Sequence, residues 1–120
     1  MLKLLPNLPA KVVGIVASGQ VTASDYETVL IPAIESVIKE HRNVRVLYQL
    51  GPDFTGFSAG AMWEDLKTGT AYFKAWERIA VVTDLAWVTD VTRFLGFAMP
   101  CPVKVFANSE LSDATNWLAG

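Results

Sequence analysis

Residues 79–84, Ile-Ala-Val-Val-Thr-Asp, are a short, nearly continuous apolar run rich in β-branched side chains. A strand with no polar face to offer water belongs in a sheet covered on both sides, which points to a parallel sheet with helical crossovers. The run is therefore expected to be the central strand. Trp87, Val88, Val91, Phe94 and Leu95 follow at helical spacing, and Gly96 ends that helix before the turn Ala98-Met99-Pro100.

Working outward from this run gives an alternating plan. Residues 11–18 read as a strand bounded by Pro9 and Gly19, with residues 2–5 pairing beside it. Ser24 with Glu27 three residues on predicts a capping box, in which each side chain satisfies the other's unpaired backbone donor. The helix it opens carries Tyr26, Val29, Leu30, Ala33, Val37 and Ile38 on one face and should kink at Pro32, which cannot donate to the Thr28 carbonyl. It is expected to end near His41-Arg42-Asn43, with Asn43 in the left-handed cap. Residues 44–50 alternate as a strand, with Val44, Val46, Tyr48 and Leu50 on the more apolar face. A helix from about Ser58 to Trp76 should bury Met62, Leu66, Phe73 and Trp76, with Gly69 permitting close approach. Residues 103–106 form a short edge strand, and Asn108 or Ser109 caps a last helix.

The order β-β-α-β-α-β-α-β-α predicts a single α/β domain over residues 1–120, with a mainly parallel sheet of four to five strands. If neighbouring strands are also sequential, the helices pack mostly on one side. The other face then needs cover from the N-terminal strands, a ligand or a partner subunit, which makes a homodimer one candidate.

Composition narrows the function classes. Apolar residues make up 52% of the 120, charged ones 18%, and the net charge of -2 carries no clustered basic patch, so disorder and nucleic-acid binding are excluded. Cys101 is the only cysteine, so no intramolecular disulfide can form; it reads as a packed apolar residue. The N-terminus lacks the anatomy of a signal peptide, and no apolar run approaches the roughly 20 residues of a membrane span. A cytoplasmic location is the expectation.

The densest functional stretch is residues 50–63, between a strand and a helix. Gly56-Phe57-Ser58-Ala59-Gly60 formally matches the Gly-x-Ser-x-Gly nucleophile elbow. The match breaks because the one histidine, His41, precedes the serine, and because seven residues separate Leu50 from Ser58 where an elbow needs an abrupt turn. Ser58 is better explained as a helix cap. One His, one Cys and no close acid cluster give no metal site, Glu64 and Asp65 diverge on their helix, and the glycines match no nucleotide loop. No catalytic residue, metal or cofactor is assigned. What survives is binding: backbone donors at the Ser58–Ala61 helix start for an anionic head group, and Phe54, Phe57, Trp63 and Met99 as an apolar wall. Asp84 lies at the carboxyl end of the apolar strand, where open α/β folds bind ligands, although capping the next helix is its stronger reading. Trp63, Trp76, Trp87 and Trp117 fall on helices at apolar spacing and read mainly as core.

Two groups of phrases carry a family resemblance. Asp25-Tyr26-Glu27-Thr28-Val29-Leu30-Ile31-Pro32 stands with Gly51-Pro52-Asp53-Phe54 and Phe57-Ser58-Ala59-Gly60-Ala61; Glu77-Arg78-Ile79-Ala80-Val81-Val82-Thr83-Asp84 stands with Trp87. Together they resemble the SpoIIAA-like bacterial proteins of the STAS and CRAL-TRIO group, over nearly the whole chain. The resemblance implies a SpoIIAA-like, STAS-type βα superhelix. Through STAS relatives it implies a regulatory protein-interaction module with Ser58 as phospho-site, although the Asp-Ser-Ser-Gly context of that serine is absent here. Through CRAL-TRIO relatives it implies a lipid-like ligand and a mobile amphipathic helix that can meet a membrane, and Gly56 and Gly60, as hinges, agree with that. The resulting expectation is a non-enzymatic domain that binds a small apolar or lipid-like ligand, with peripheral membrane contact. Its expected contacts are Asp53, Phe54, Phe57, Ser58, Gly60, Trp63, Asp84, Trp87, Phe97 and Met99.

Overall fold

The computed structural model describes residues 1–96 and 98–120, without the side chain of residue 95. One five-stranded sheet runs in chain order: β1 (Leu2–Leu4), β2 (Val12–Val21), β3 (Val44–Phe57), β4 (Trp76–Val82) and β5 (Val103–Phe106). β1 is antiparallel to β2, and the other three pairings are parallel. Sequential parallel neighbours joined by right-handed crossovers place the connecting helices on one face. These are α1 (Ala23–Asp25), a π-helical turn (Tyr26–Leu30) and α2 (Ile31–His41) after β2, then α3 (Ala59–Ala71) and α4 (Ala86–Gly96).

The middle of the sheet belongs to β3 rather than to residues 79–84, because β4 is followed by only one further strand. The inference of two-sided cover for β4 holds. Ile79 and Val81 pack with the helix layer, while Ala80 and Val82 pack on the far face. That far face is closed by α5 (Leu111–Ala119), whose Ala114 and Leu118 are fully buried against Val12, Leu47 and Phe106, with Leu5 and Leu8 beside them. The chain covers its own sheet, so the bare face that argued for a homodimer is absent.

Several local readings are corrected. The capping box forms two residues early: Thr22 Oγ1 accepts from Asp25 N at 3.4 Å and Asp25 Oδ2 accepts from Thr22 N at 2.8 Å. Both pairs have the required spacing, and the end of β2 at Val21 selects the first. Pro32 falls in the first turn of α2, where its missing donor costs little, and the irregularity lies just before it as the π turn, with Ile31 N bonded to the Tyr26 carbonyl. Arg42, at φ 70°, takes the positive-φ position expected of Asn43. Asn43 instead donates to Glu77 Oε2 at 3.2 Å.

The largest correction concerns residues 50–57, read as loop. They continue β3, and their pairing with β2 jumps from Ala17↔Leu50 to Gly19↔Phe54. Gly51, Pro52 and Asp53 occupy the resulting bulge, where a proline is tolerated because no ladder hydrogen bond is required of it. Gly56, at φ 148°, sits where a side chain would be strained.

The next helix stops at Ala71, because Trp76 already pairs with Val44 at the start of β4. Its Nε1 donates back to the Gly69 carbonyl at 3.0 Å and fastens the helix end to the strand. The last helix is entered through a 3-10 turn (Asn108–Glu110) preceded by Ala107, whose N–H is capped by Glu110 at 2.8 Å. Neither Asn108 nor Ser109 is its cap.

A candidate ligand pocket between helices α3 and α4

Residues of α3 expected in the core show where the helix layer fails to close. Met62 is 63% exposed and Leu66 61%, and Phe73, beyond the end of α3, is 46% exposed. The contacts that seat α3 use Ala61, Glu64 and Thr68, with Glu64 held by Lys67 at 2.8 Å. Gly60 lets the helix start lie close to α1, since a Cβ there would stand 3.2 Å from Ala23 Cβ. At Gly69 an added Cβ would meet nothing within 4 Å, so that glycine is not a point of close approach.

What Met62, Leu66 and Gly69 face is a cavity of about 440 Å³ between α3, α4 and the sheet. Its floor is Val46, Tyr48 and Leu50 of β3 with Ile79 and Val81 of β4. Trp87, Val88 and Val91 of α4 form the opposite wall, Tyr26, Leu30 and Ile34 close one end, and Met99 and Val103 also contribute. Trp87 and Val91 are 53% and 48% exposed for the same reason as Met62: their apolar surface turns to unfilled space. Protein cores are normally packed nearly as densely as organic crystals, so an apolar space of this size has the character of a small-molecule site.

One end of the pocket is polar. Tyr26 Oη donates to Asp65 Oδ1 at 2.7 Å, and Tyr26 and Tyr48 hydroxyls lie 3.1 Å apart. The π turn begins at Tyr26, whose hydroxyl reaches Tyr48 of β3 and Asp65 of α3. Asp65 retains exposed surface because it opens onto the cavity, yet the surrounding protein raises its pKa by desolvation, against the opposing pull of the Tyr26 hydrogen bond. Burial raises both tyrosines, and the Asp65 charge adds to each.

The residues expected as ligand contacts divide. Phe57, Trp87 and Met99 line the pocket. Phe54 is buried behind it, stacked edge-on against Phe57 at 5.0 Å between centroids. Ser58 caps α3, its Oγ accepting from Ala61 N at 3.0 Å, and Gly60 sits in the first turn against α1. Asp53 is exposed in the β3 bulge, and Trp63 is 59% exposed and does not line the cavity. Asp84 is occupied structurally: its carboxylate accepts from Asn108 N at 2.9 Å and Nδ2 at 3.1 Å, which fixes the turn into α5 and lowers its pKa. Phe97 lies outside the described residues. Of the tryptophans read as core on helices, Trp76 is buried but on a strand, Trp117 is half-buried beneath Arg78, and Trp63 and Trp87 are largely exposed. Cys101 is half-buried against the core and burial raises its thiol pKa, which suits a packing role.

Tyr26, Tyr48 and Asp65 were missed as site residues, although a signal was present. Asp65 falls with Met62, Leu66 and Gly69 at i, i+3, i+4 and i+7 spacing, an acid inside an otherwise apolar helical stripe.

Comparison with known proteins places this geometry on a recognised scaffold. A family model described as SpoIIAA-like matches residues 12–119. No curated protein matches the chain. The crystal structure of an uncharacterised DUF3478-family protein with a SpoIIAA-like fold, from Shewanella loihica PV-4, superposes with a TM-score of 0.73 at 24% identity, covering 98% of this chain and 93% of that one.

Proposed function

The chain belongs to the SpoIIAA-like family, and on that scaffold we propose that it is a non-enzymatic binding domain for a small apolar or lipid-like ligand held between α3 and α4. The observation that carries this reading is the cavity itself, about 440 Å³ of space faced by Met62, Leu66, Trp87 and Val91, side chains left largely uncovered among the described residues. An occupant would bury them and recover the transfer free energy that the empty pocket forgoes, roughly 25 cal/mol per Å² of apolar surface removed from water.

Peripheral membrane contact is the natural route for such a ligand. Phe94, 76% exposed, continues the Trp87–Val91 stripe along α4, and exposed Trp63 adjoins Met62 on α3. An apolar rim beside an apolar pocket lets a ligand pass from a bilayer without crossing water.

Native mass spectrometry of the purified chain and analysis of its organic extract test the reading. A stoichiometric apolar molecule that leaves on extraction, together with co-sedimentation with liposomes, is the expected result. A chain that carries no such molecule, takes up none when offered, and ignores liposomes would overturn it.

A further inference from the structure

We infer that the pocket selects apolar ligands bearing a hydrogen-bond donor, above all a protonated amine, over those bearing a carboxylate. The inference rests on the binding reading above and follows from the direction of the hydroxyl chain at the polar end. Tyr26 has one proton and spends it on Asp65 Oδ1 at 2.7 Å. Its oxygen can then meet Tyr48, 3.1 Å away, only as an acceptor, so the Tyr48 proton is committed to Tyr26. Both phenolic donors are used inside the chain, and the arrangement ends on Asp65, which in its ionised form can only accept.

The groups left for a ligand at this end are the second Asp65 oxygen, which makes no hydrogen bond among the described residues, and the lone pairs of Tyr48. Thr68 and Thr92 also line the cavity, but a hydroxyl can donate or accept and does not set a preference. The sign comes from charge. Asp65 is the one charged side chain among the described cavity-lining residues, and it forms no ion pair among them. Glu64, its neighbour, is directed to Lys67 instead. A carboxylate partly removed from water without a countercharge favours an incoming cation, tolerates a hydroxyl and repels a second carboxylate.

The test uses three probes that share a chain and differ in head group: decylamine, decanol and decanoate. Each is titrated at pH 7, below its aggregation threshold, against the full chain loaded with the neutral fluorophore N-phenyl-1-naphthylamine. The fluorescence of Trp76 and Trp87, both on the pocket wall, gives an independent reading. The amine is expected to bind at least about tenfold more tightly than decanoate, with decanol between, as befits a charge-assisted hydrogen bond set against a like-charge contact. Asp65→Asn should erase the amine preference and strengthen decanoate while leaving decanol near its original affinity. Equal binding of all three overturns the selectivity but leaves the pocket standing. Failure of all three and of the fluorophore overturns both readings. Should Asp65→Asn not fold, the ranking on the unaltered chain still decides the matter, since decanoate binding as tightly as decylamine is incompatible with the proposal.

Discussion

The two faces of the sheet have similar raw material and different outcomes. On the far face, one helix of nine residues, α5, inserts Ala114 and Leu118 against Val12, Leu47, Ala80, Val82 and Phe106, and every one of these is buried. On the near face, three longer helical segments still leave about 440 Å³ of space among the described residues. Their charges differ in the same way. The far face pairs Arg45 with Glu77 at 2.5 Å and ties the Arg45 guanidinium to the Leu118 carbonyl, whereas Asp65 on the near face has Tyr26 as its partner and no cation among the described residues. The contrast teaches that apolar content does not by itself close a core: α3 is seated by Ala61, Glu64 and Thr68, and Met62 and Leu66 are left facing the cavity.

Truncations on the two faces should differ most of all. Leu118→Ala, in a site with no exposure, should cost about 2–5 kcal/mol of unfolding free energy by removing buried methyl groups and leaving a cavity. Urea denaturation measures it, and a loss below 1 kcal/mol, on the order expected for an exposed site, would mean the far face is loose too. Next in size is Ser58→Ala, which removes the α3 cap and should cost about 1 kcal/mol, because α3 has little core packing to fall back on. A negligible cost in the same denaturation series would show α3 held by contacts other than its cap. Leu66→Ala should change stability by no more than about 0.5 kcal/mol, since the side chain is already exposed, yet it should weaken binding of the apolar fluorophore. A cost comparable to Leu118→Ala would mean that α3 closes onto the sheet and the pocket does not exist in solution.

The smallest effect separates the two carboxylates by pH. Glu77 has a folded pKa held below 4.5, first by its Arg45 hydrogen bond, so its contribution is present above that value and is lost as pH falls through the lowered pKa. Asp65 behaves oppositely. Burial raises its folded pKa above 3.8, the folded state holds the proton more tightly than the unfolded one, and stability declines as pH rises from 3.8 through the raised value. Melting temperatures over that range should therefore flatten in Asp65→Asn without falling at neutral pH, while Glu77→Gln should melt lower at neutral pH. An Asp65→Asn protein that melts well below the parent at pH 7 would mark Asp65 as a structural anchor rather than an uncompensated pocket charge.

Much of this plan is legible in the residues. The alternation of strands and helices, the crossover side and the two faces of residues 44–50 follow from periodicity, and periodicity survives tertiary context when it is strong. Residues 50–57 read as loop because Gly51, Pro52 and Asp53 are breakers in any local view; only the partner strand β2 shows them to be a bulge within a longer strand. The start of β4 likewise fits a helical pattern, since Trp76 serves either period and its pairing with Val44 decides. Among the ligand contacts, Phe57, Trp87 and Met99 were reachable from the aromatic stretch and the turn after α4, whereas Tyr26 and Tyr48 looked like ordinary core positions.

The sequence alone determined the fold class and the family resemblance, because these depend on order, spacing and the residue types present. Tertiary structure alone decided that the stretch around Ser58 is strand and cap, that Met62 and Leu66 point at space rather than packed neighbours, and that Tyr48, Tyr26 and Asp65 meet in one hydrogen-bonded chain. The physical reason is distance along the chain. Tyr26, Tyr48 and Asp65 sit on three different elements, and a cavity arises from how far those elements stand apart, a quantity that no local pattern encodes.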